Sequence, residues 1–129
     1  MADPVFLDFD IVEILHAESL NAYGGSPGIR DRGLVESALG AALNVYHYAN
    51  GDLFDIAAAY AYHLAQAQAY LDGNKRTGVG AALLFLRANG VGRLPDDVLI
   101  YDAMIAIAER RLDKPGLAQL FRSAALSPS

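Results

Sequence analysis

Apolar positions recur along most of the chain at intervals of three and four, and Gly, Pro and Asp punctuate them. Residues 8–21, DFDIVEILHAESLN, place Ile11, Ile14, Leu15 and Leu20 near helical spacing, and YGGSPG ends the run. Residues 31–43 predict a second helix, with Asp31 as its N-cap and Gly40 near its end. A third is expected over 53–69, capped by Asp52, with Asp55 completing a capping-box arrangement. Phe54, Ala58, Ala61, Ala65 and Gln68 share one face of it at 4-3-4-3 spacing, and such small residues suggest close approach by neighbouring helices. The fourth helix is expected from about 75 to 89, with Gly90 suited to a C′ position. The fifth begins near Pro95, with Asp96 and Asp97 in its first turn, and finishes at Glu109, Arg110 and Arg111. Acidic start and basic finish both complement the helix dipole. Its middle, VLIYDAMIAIA, is apolar almost all round and reads as the central buried helix. Pro115 opens a last helix to about 125, and 127–129 read as a frayed tail.

Only 44–52, NVYHYANGD, departs from this pattern. Its β-prone residues and Asn-Gly predict a small hairpin or an extended loop. The expected fold is therefore all-α: a compact six-helix bundle with a small extended flap at 44–52. Residues 1–129 form a single domain, a length within the usual range for one core, and no internal repeat is visible.

Composition narrows the chemistry. With 53% hydrophobic residues the chain can build a core, and with a net charge of −5 it lacks the basic surplus of a general nucleic-acid binder. A small anionic ligand needs only local positive charge. The absence of cysteine excludes disulfides and thiolate zinc sites, and the three scattered histidines make no recognisable metal pattern. No signal peptide is read in MADPVFLDFD, and no apolar run approaches the ~20 residues of a membrane span. A cytoplasmic domain is expected.

Against this background AYLDGNKRTG, residues 69–78, concentrates polarity after an alanine-rich run. A helix start exposes unpaired N–H groups and about half a positive charge. Lys75 and Arg76 are unfavourable there unless an anion faces them, and Gly73 lets backbone approach a ligand. Phosphate would satisfy the arrangement, and Asp72 is suited to a Mg²⁺ carried on nucleotide phosphates. The Walker A pattern is not met. The plainer alternative is an exposed Asp-Gly-Asn turn with solvated cations and Asn74 as a cap.

The stretch 69–77, with ALLFLRANG (82–90), DLFDIAAAYAYHLAQ (52–66) and YGGSPGIRDRGLVESAL (23–39), resembles the Doc (death on curing) branch of the Fic/Doc family. The branch motif is H-x-F-x-D-[AG]-N-K-R, and the similarity runs in order over nearly the whole chain. The resemblance implies a helical toxin of a toxin–antitoxin pair, its antitoxin a small protein that lays a helix in an apolar groove. It further implies ATP and Mg²⁺, with Asp72 placing the metal and Gly73, Asn74, Lys75 and Arg76 cradling phosphates. Lys75 marks the Doc branch, associated with phosphate transfer to a threonine of elongation factor Tu, against the AMP transfer of Fic enzymes. The 44–52 segment would be the flap where a target chain docks by strand addition.

One position departs. The motif histidine, the general base, falls on Gln68, and an amide cannot take a proton near neutral pH. Its loss typically costs roughly 10²–10⁴-fold. A crippled transferase and a pseudoenzyme that only binds nucleotide or protein both remain open, whether Gln68 is a natural variant or an inactivating substitution. His63, about 140° from position 68 on a helix, points elsewhere and reads as an interhelical or surface residue. His16 and His47 have no telling carboxylate neighbour. Tyr46, Tyr48, Tyr60 and Tyr62 read as packing residues, and Arg30 and Arg32 as solvated loop charges.

Overall fold

The computed structural model describes residues 3–126, which form six helices. They are α1 Phe9–Tyr23, α2 Arg32–Ala49, α3 Leu53–Ala67, α4 Asn74–Ala88, α5 Asp97–Ala108 and α6 Lys114–Leu126. The chain is an all-α bundle, with no named strand among the described residues. The expected tail at 127–129 lies outside those residues.

Five of the six helices begin on an aspartate. Asp8, Asp31, Asp52, Asp96 and Asp113 each accept a hydrogen bond from a first-turn N–H, at 2.8–3.0 Å. This satisfies donors that have no partner within the helix. At α3 the capping box is complete, because the Asp55 carboxylate accepts from the Asp52 N–H at 2.9 Å. Gly90 follows the end of α4 at φ 90°, as its C′ position requires.

The centre of the bundle is α3, not α5. Residues 56–61 of α3 and Leu64 are all buried, and α2, α4 and α6 pack around them. Alanines supply much of this face and let neighbours come close. A Cβ on Gly78 of α4 would sit 2.7 Å from the Ala61 carbonyl oxygen, so the α3–α4 seam depends on that glycine. Tyr60, fully buried, accepts the Leu7 N–H on its hydroxyl at 3.0 Å. By contrast α5 buries Ile100, Ala103, Met104 and Ile107 and turns Val98, Leu99 and Ile105 outward. Uniform hydrophobicity told how apolar the helix is, not how many neighbours cover it.

The expected flap at 44–52 is a second correction. α2 continues through Gly40 to Ala49, because Val45 and Tyr46 extend its apolar face and pack on the core. Packing overrides the β-preference of these residues. Asn-Gly serves as a helix stop: Asn50 is left-handed at φ 52°, and the Gly51 N–H returns to the Val45 carbonyl at 2.9 Å. Tyr48 is 84% exposed and packs on nothing central. The extended pairing lies elsewhere, as a single antiparallel bridge between Ile29 and Tyr70.

Candidate functional site

α3 ends at Ala67, two residues before the expected 69, and Gln68 sits past it in the left-handed region at φ 52°, ψ 40°. The Gln68 amide donates to the Ala65 carbonyl at 2.8 Å, and its oxygen lies 3.5 Å from the Asn74 Nδ2. The chain then runs extended beside the 24–31 loop. The Arg30 N–H donates to the Ala69 carbonyl at 2.7 Å, and the Leu71 N–H to the Gly28 carbonyl at 3.1 Å. Gly28, at φ 130°, leaves its side-chain space to Leu71. Asn74, buried at the first position of α4, grips the same segment: Oδ1 accepts the Tyr70 N–H at 3.0 Å and Nδ2 donates to the Tyr70 carbonyl at 2.9 Å. Its side chain thus shapes the loop rather than capping the helix.

α1 supports the loop from below. The His16 Nε2–H donates to the Asp72 carbonyl at 2.8 Å, which places the imidazole proton on Nε2. The His16 ring stacks on Tyr70 with centroids 3.8 Å apart, and the Tyr70 hydroxyl donates to Glu13 at 2.6 Å. Burial and the Glu13 carboxylate push the Tyr70 hydroxyl well above its ordinary pKa, so it stays a donor. Ser19, buried one turn along, faces Gly73 with no hydrogen-bond partner on its hydroxyl.

The loop delivers an unusual helix start. Gly73, left-handed at φ 81°, is the N-cap of α4, and no side chain caps the helix. The Thr77 N–H closes the first turn on the Gly73 carbonyl at 2.9 Å, leaving the N–H groups of Asn74, Lys75 and Arg76 without helical partners. Lys75 is exposed and has no ion-pair, hydrogen-bond or ring partner among the described residues. Arg76 lies over the Tyr23 ring at 4.4 Å and pairs with no carboxylate among those residues. A cavity of about 320 Å³ opens here, lined by Gly73, Asn74, Lys75, Arg76 and Tyr101. Asp72 precedes Gly73 but does not line this cavity, its side chain lying against Gly25 and Ser26. Its Oδ2 accepts the Ser26 N–H at 2.8 Å, and its other oxygen carries no hydrogen bond among the described residues.

Gly73, Asn74, Lys75 and Arg76 therefore share one cavity, with Gln68 and Asp72 on the loop that leads into it. Sequence reasoning missed His16 and Tyr101, which reach the site from α1 and α5. Neither is near it in the chain, and no local pattern could have announced them. Two other charges found ordinary partners: Arg32 pairs with Glu36 at 3.0 Å, and His63 takes a hydrogen bond at 3.0 Å from Lys114 on α6. His47 lies exposed at the end of α2.

The fold and site together define a helical bundle in which the start of α4 is cationic and has no side-chain cap among the described residues. Residues 6–86 match the Fic/DOC family, and the chain belongs to it. It is 34% identical over 109 residues to "Protein kinase doc" of Escherichia phage P1. It is 40% identical over 113 residues to "Toxin Doc" of Mycolicibacterium smegmatis. Each alignment covers 84% of this chain and 86% of the relative.

Proposed function

We propose that this chain is a Doc-type toxin of a toxin–antitoxin pair, holding ATP by its phosphates at the start of α4 and transferring the terminal phosphate to a protein hydroxyl. Elongation factor Tu, acting in translation in the cytoplasm, is the proposed target. The observation that carries the reading is the helix start itself: free N–H groups, Gly73 at the cap and unpartnered Lys75 in a 320 Å³ cavity. The names of the two relatives, a protein kinase and a toxin, agree with it.

In this reading Lys75, Arg76 and the α4 N–H groups neutralise the phosphates and hold the terminal phosphorus in line with the incoming oxygen, which supplies most of phosphoryl transfer. Asn74 keeps the loop in register. The free, exposed oxygen of Asp72 fits Mg²⁺ arriving on the nucleotide, a cation that needs only one or two protein carboxylates. When bound, that ion neutralises charge on the phosphates. The target oxygen bonds to the terminal phosphorus, the bond to the bridging oxygen breaks, ADP leaves, and the hydroxyl proton passes to solvent water. The hydroxyl proton has no strong acceptor at position 68, since the Gln68 amide donates to Ala65 and cannot be protonated near neutral pH. That same amide favours a second reading, a pseudoenzyme that binds nucleotide or protein without turnover. An antitoxin helix is the proposed partner in either case, and the outward apolar residues of α5, Val98 and Leu99, offer surface for one.

Gln68→His decides between these. With γ-labelled ATP and elongation factor Tu, the variant should transfer label roughly 10²–10⁴-fold faster than the parent chain. A folded Gln68→His protein that transfers none defeats the kinase reading. Label appearing from α-labelled ATP would instead make it an AMP transferase.

A further inference from the structure

A cavity of about 860 Å³ lies where the turn between α5 and α6 closes against the last two turns of α3. It shares no residue with the cavity at the start of α4. Arg110, Arg111 and Lys114 line it, a local concentration of positive charge on a chain of net charge −5. Those charges are largely unanswered. Arg111 pairs with Glu109 at 2.6 Å. Lys114 meets rings rather than a carboxylate, donating to His63 at 3.0 Å and lying 5.9 Å from the Tyr62 centroid. Arg110 has no side-chain partner among the described residues. Asp113, the one carboxylate among the lining residues, already accepts the Gly116 N–H at 2.9 Å.

The backbone singles out Arg110 independently. At the end of α5 the Arg111 N–H returns to the Ala106 carbonyl at 2.7 Å and the Arg110 N–H to that of Ile107 at 3.0 Å, a Schellman closure. This puts Arg110 in the left-handed region at φ 62°. α4 closes in the same way, with Gly90 in the equivalent position at φ 90°. A side chain there costs stability, and here the position carries a long cation that lines a cavity. The dipole at the end of α5 favours cations anywhere in its last turn, so it does not account for an arginine in the one position that suits glycine.

We propose that this cavity is a second anion site, taking an organic anion whose carboxylate or phosphate head meets Arg110 and Lys114. The apolar body of that ligand lies on Ile107, Leu112 and Pro115. A guanidinium can donate two parallel N–H bonds to either head. The Tyr62 hydroxyl and the Gln66 amide, both without a hydrogen-bond partner among the described residues, supply further donors. The volume falls within the roughly 300–1,000 Å³ of small-molecule sites, which pair apolar walls with a few convergent polar groups. Both parts select. A bare inorganic anion leaves the apolar wall uncovered, and a neutral ring leaves Arg110 unanswered. The site is independent of the phosphate reading at α4.

The test is a titration of the ¹⁵N-labelled full chain with benzoate, phenyl phosphate and neutral benzyl alcohol, read residue by residue from amide shifts. At least one of the two anions should shift the amides of Tyr62, Gln66 and residues 110–114 together and saturably. Benzyl alcohol should bind there at least about tenfold more weakly. The tighter of the two anions tells a carboxylate ligand from a phosphate ester, and any phenyl phosphate held at α4 shows separately in the amides of residues 74–76. Arg110→Gly should weaken the anion roughly tenfold while the thermal midpoint holds or rises, because glycine suits φ 62°. An arginine kept for structure alone would lower the midpoint on removal and leave binding alone. Lys114→Gln should weaken binding severalfold, and it decides in place of Arg110→Gly should that variant not fold. The proposal is overturned if neither anion shifts these amides saturably, if benzyl alcohol binds as tightly, or if folded Arg110→Gly keeps the parent affinity.

Discussion

α3 and α4 pack side by side along a glycine-dependent seam, yet their N-termini are built in opposite ways. At α3, Asp52 and Asp55 cap each other's N–H groups, and Arg122 of α6 closes over both carboxylates at 2.9 and 3.4 Å. Burial pushes the Asp52 carboxyl up, but the Asp55 N–H and the Arg122 guanidinium outweigh it and hold it below the usual carboxylate range. Every charge there has its partner inside the molecule. At α4 the cap is a glycine without a side chain, the first turn carries Lys75 and Arg76, and no carboxylate among the described residues answers them. A helix start can satisfy its dipole from within or leave it for a ligand. The bundle does the first at α3, and under the proposed function the second at α4, so the two ends should respond differently to the same kind of mutation.

The largest expected effect falls on binding. Lys75→Ala with Arg76→Ala removes two charge-assisted contacts worth about 1.5–3 kcal/mol each, which lowers ATP affinity roughly 10²-fold or more. The thermal midpoint should hold or rise slightly, because cations at a helix N-terminus cost about 0.3–1 kcal/mol against the dipole. Titration and scanning calorimetry on one sample read both quantities. Unchanged affinity removes the phosphate site from the account.

Both starts were legible in the sequence for one reason: a helix terminus is written in four or five consecutive residues. Asp52 and Asp55 announce a closed end, and Gly73 to Arg76 an open one. What shapes the open end was not legible. His16 reaches Asp72 across 56 residues and Ile29 of the α1–α2 loop pairs with Tyr70 of the α3–α4 connection, contacts that only the packed bundle creates. The same limit explains the two misread elements. Val45 and Tyr46 are β-prone alone and helical once they meet the core, and the apolar run of α5 does not say which of its faces will be covered. Gln68 shows the reverse: the substitution was plain, but its left-handed backbone beyond the end of α3 was not.

At α3 the cost should be paid in stability instead. Asp52→Ala removes the cap and leaves Arg122 with Asp55 alone, a loss of about 1–2 kcal/mol that lowers the thermal midpoint by several degrees. ATP affinity should stay within about twofold, since the substitution leaves every residue of the α4 cavity in place. If Asp52→Ala weakened ATP binding as much as the Lys75/Arg76 pair, the two ends would not be separable and the contrast would fail.

The smallest effect is a pH dependence confined to the α3 side. His63 of α3 accepts from the Lys114 ammonium at 3.0 Å, which requires a neutral Nε2. Burial, then the Lys114 charge, holds its pKa below the ordinary 6.5. Between the folded and unfolded values the unfolded chain binds more protons, so stability rises with pH across that window. The contribution is complete above about pH 6.5 and is lost as pH falls through the folded value. The carboxylate of Asp52, lowered from 3.8, loses its share only in acid below that value and so plays no part between pH 7.5 and 6.0. Between pH 7.5 and 6.0 the thermal midpoint should fall by a degree or two, a small amount because His63 is only partly buried and solvent screens its charge. In His63→Gln that fall should vanish, while the ATP affinity of the α4 end stays that of the parent chain at both pH values. A midpoint that keeps the same slope in His63→Gln would place the titrating group elsewhere and leave the Lys114 contact without a part in stability.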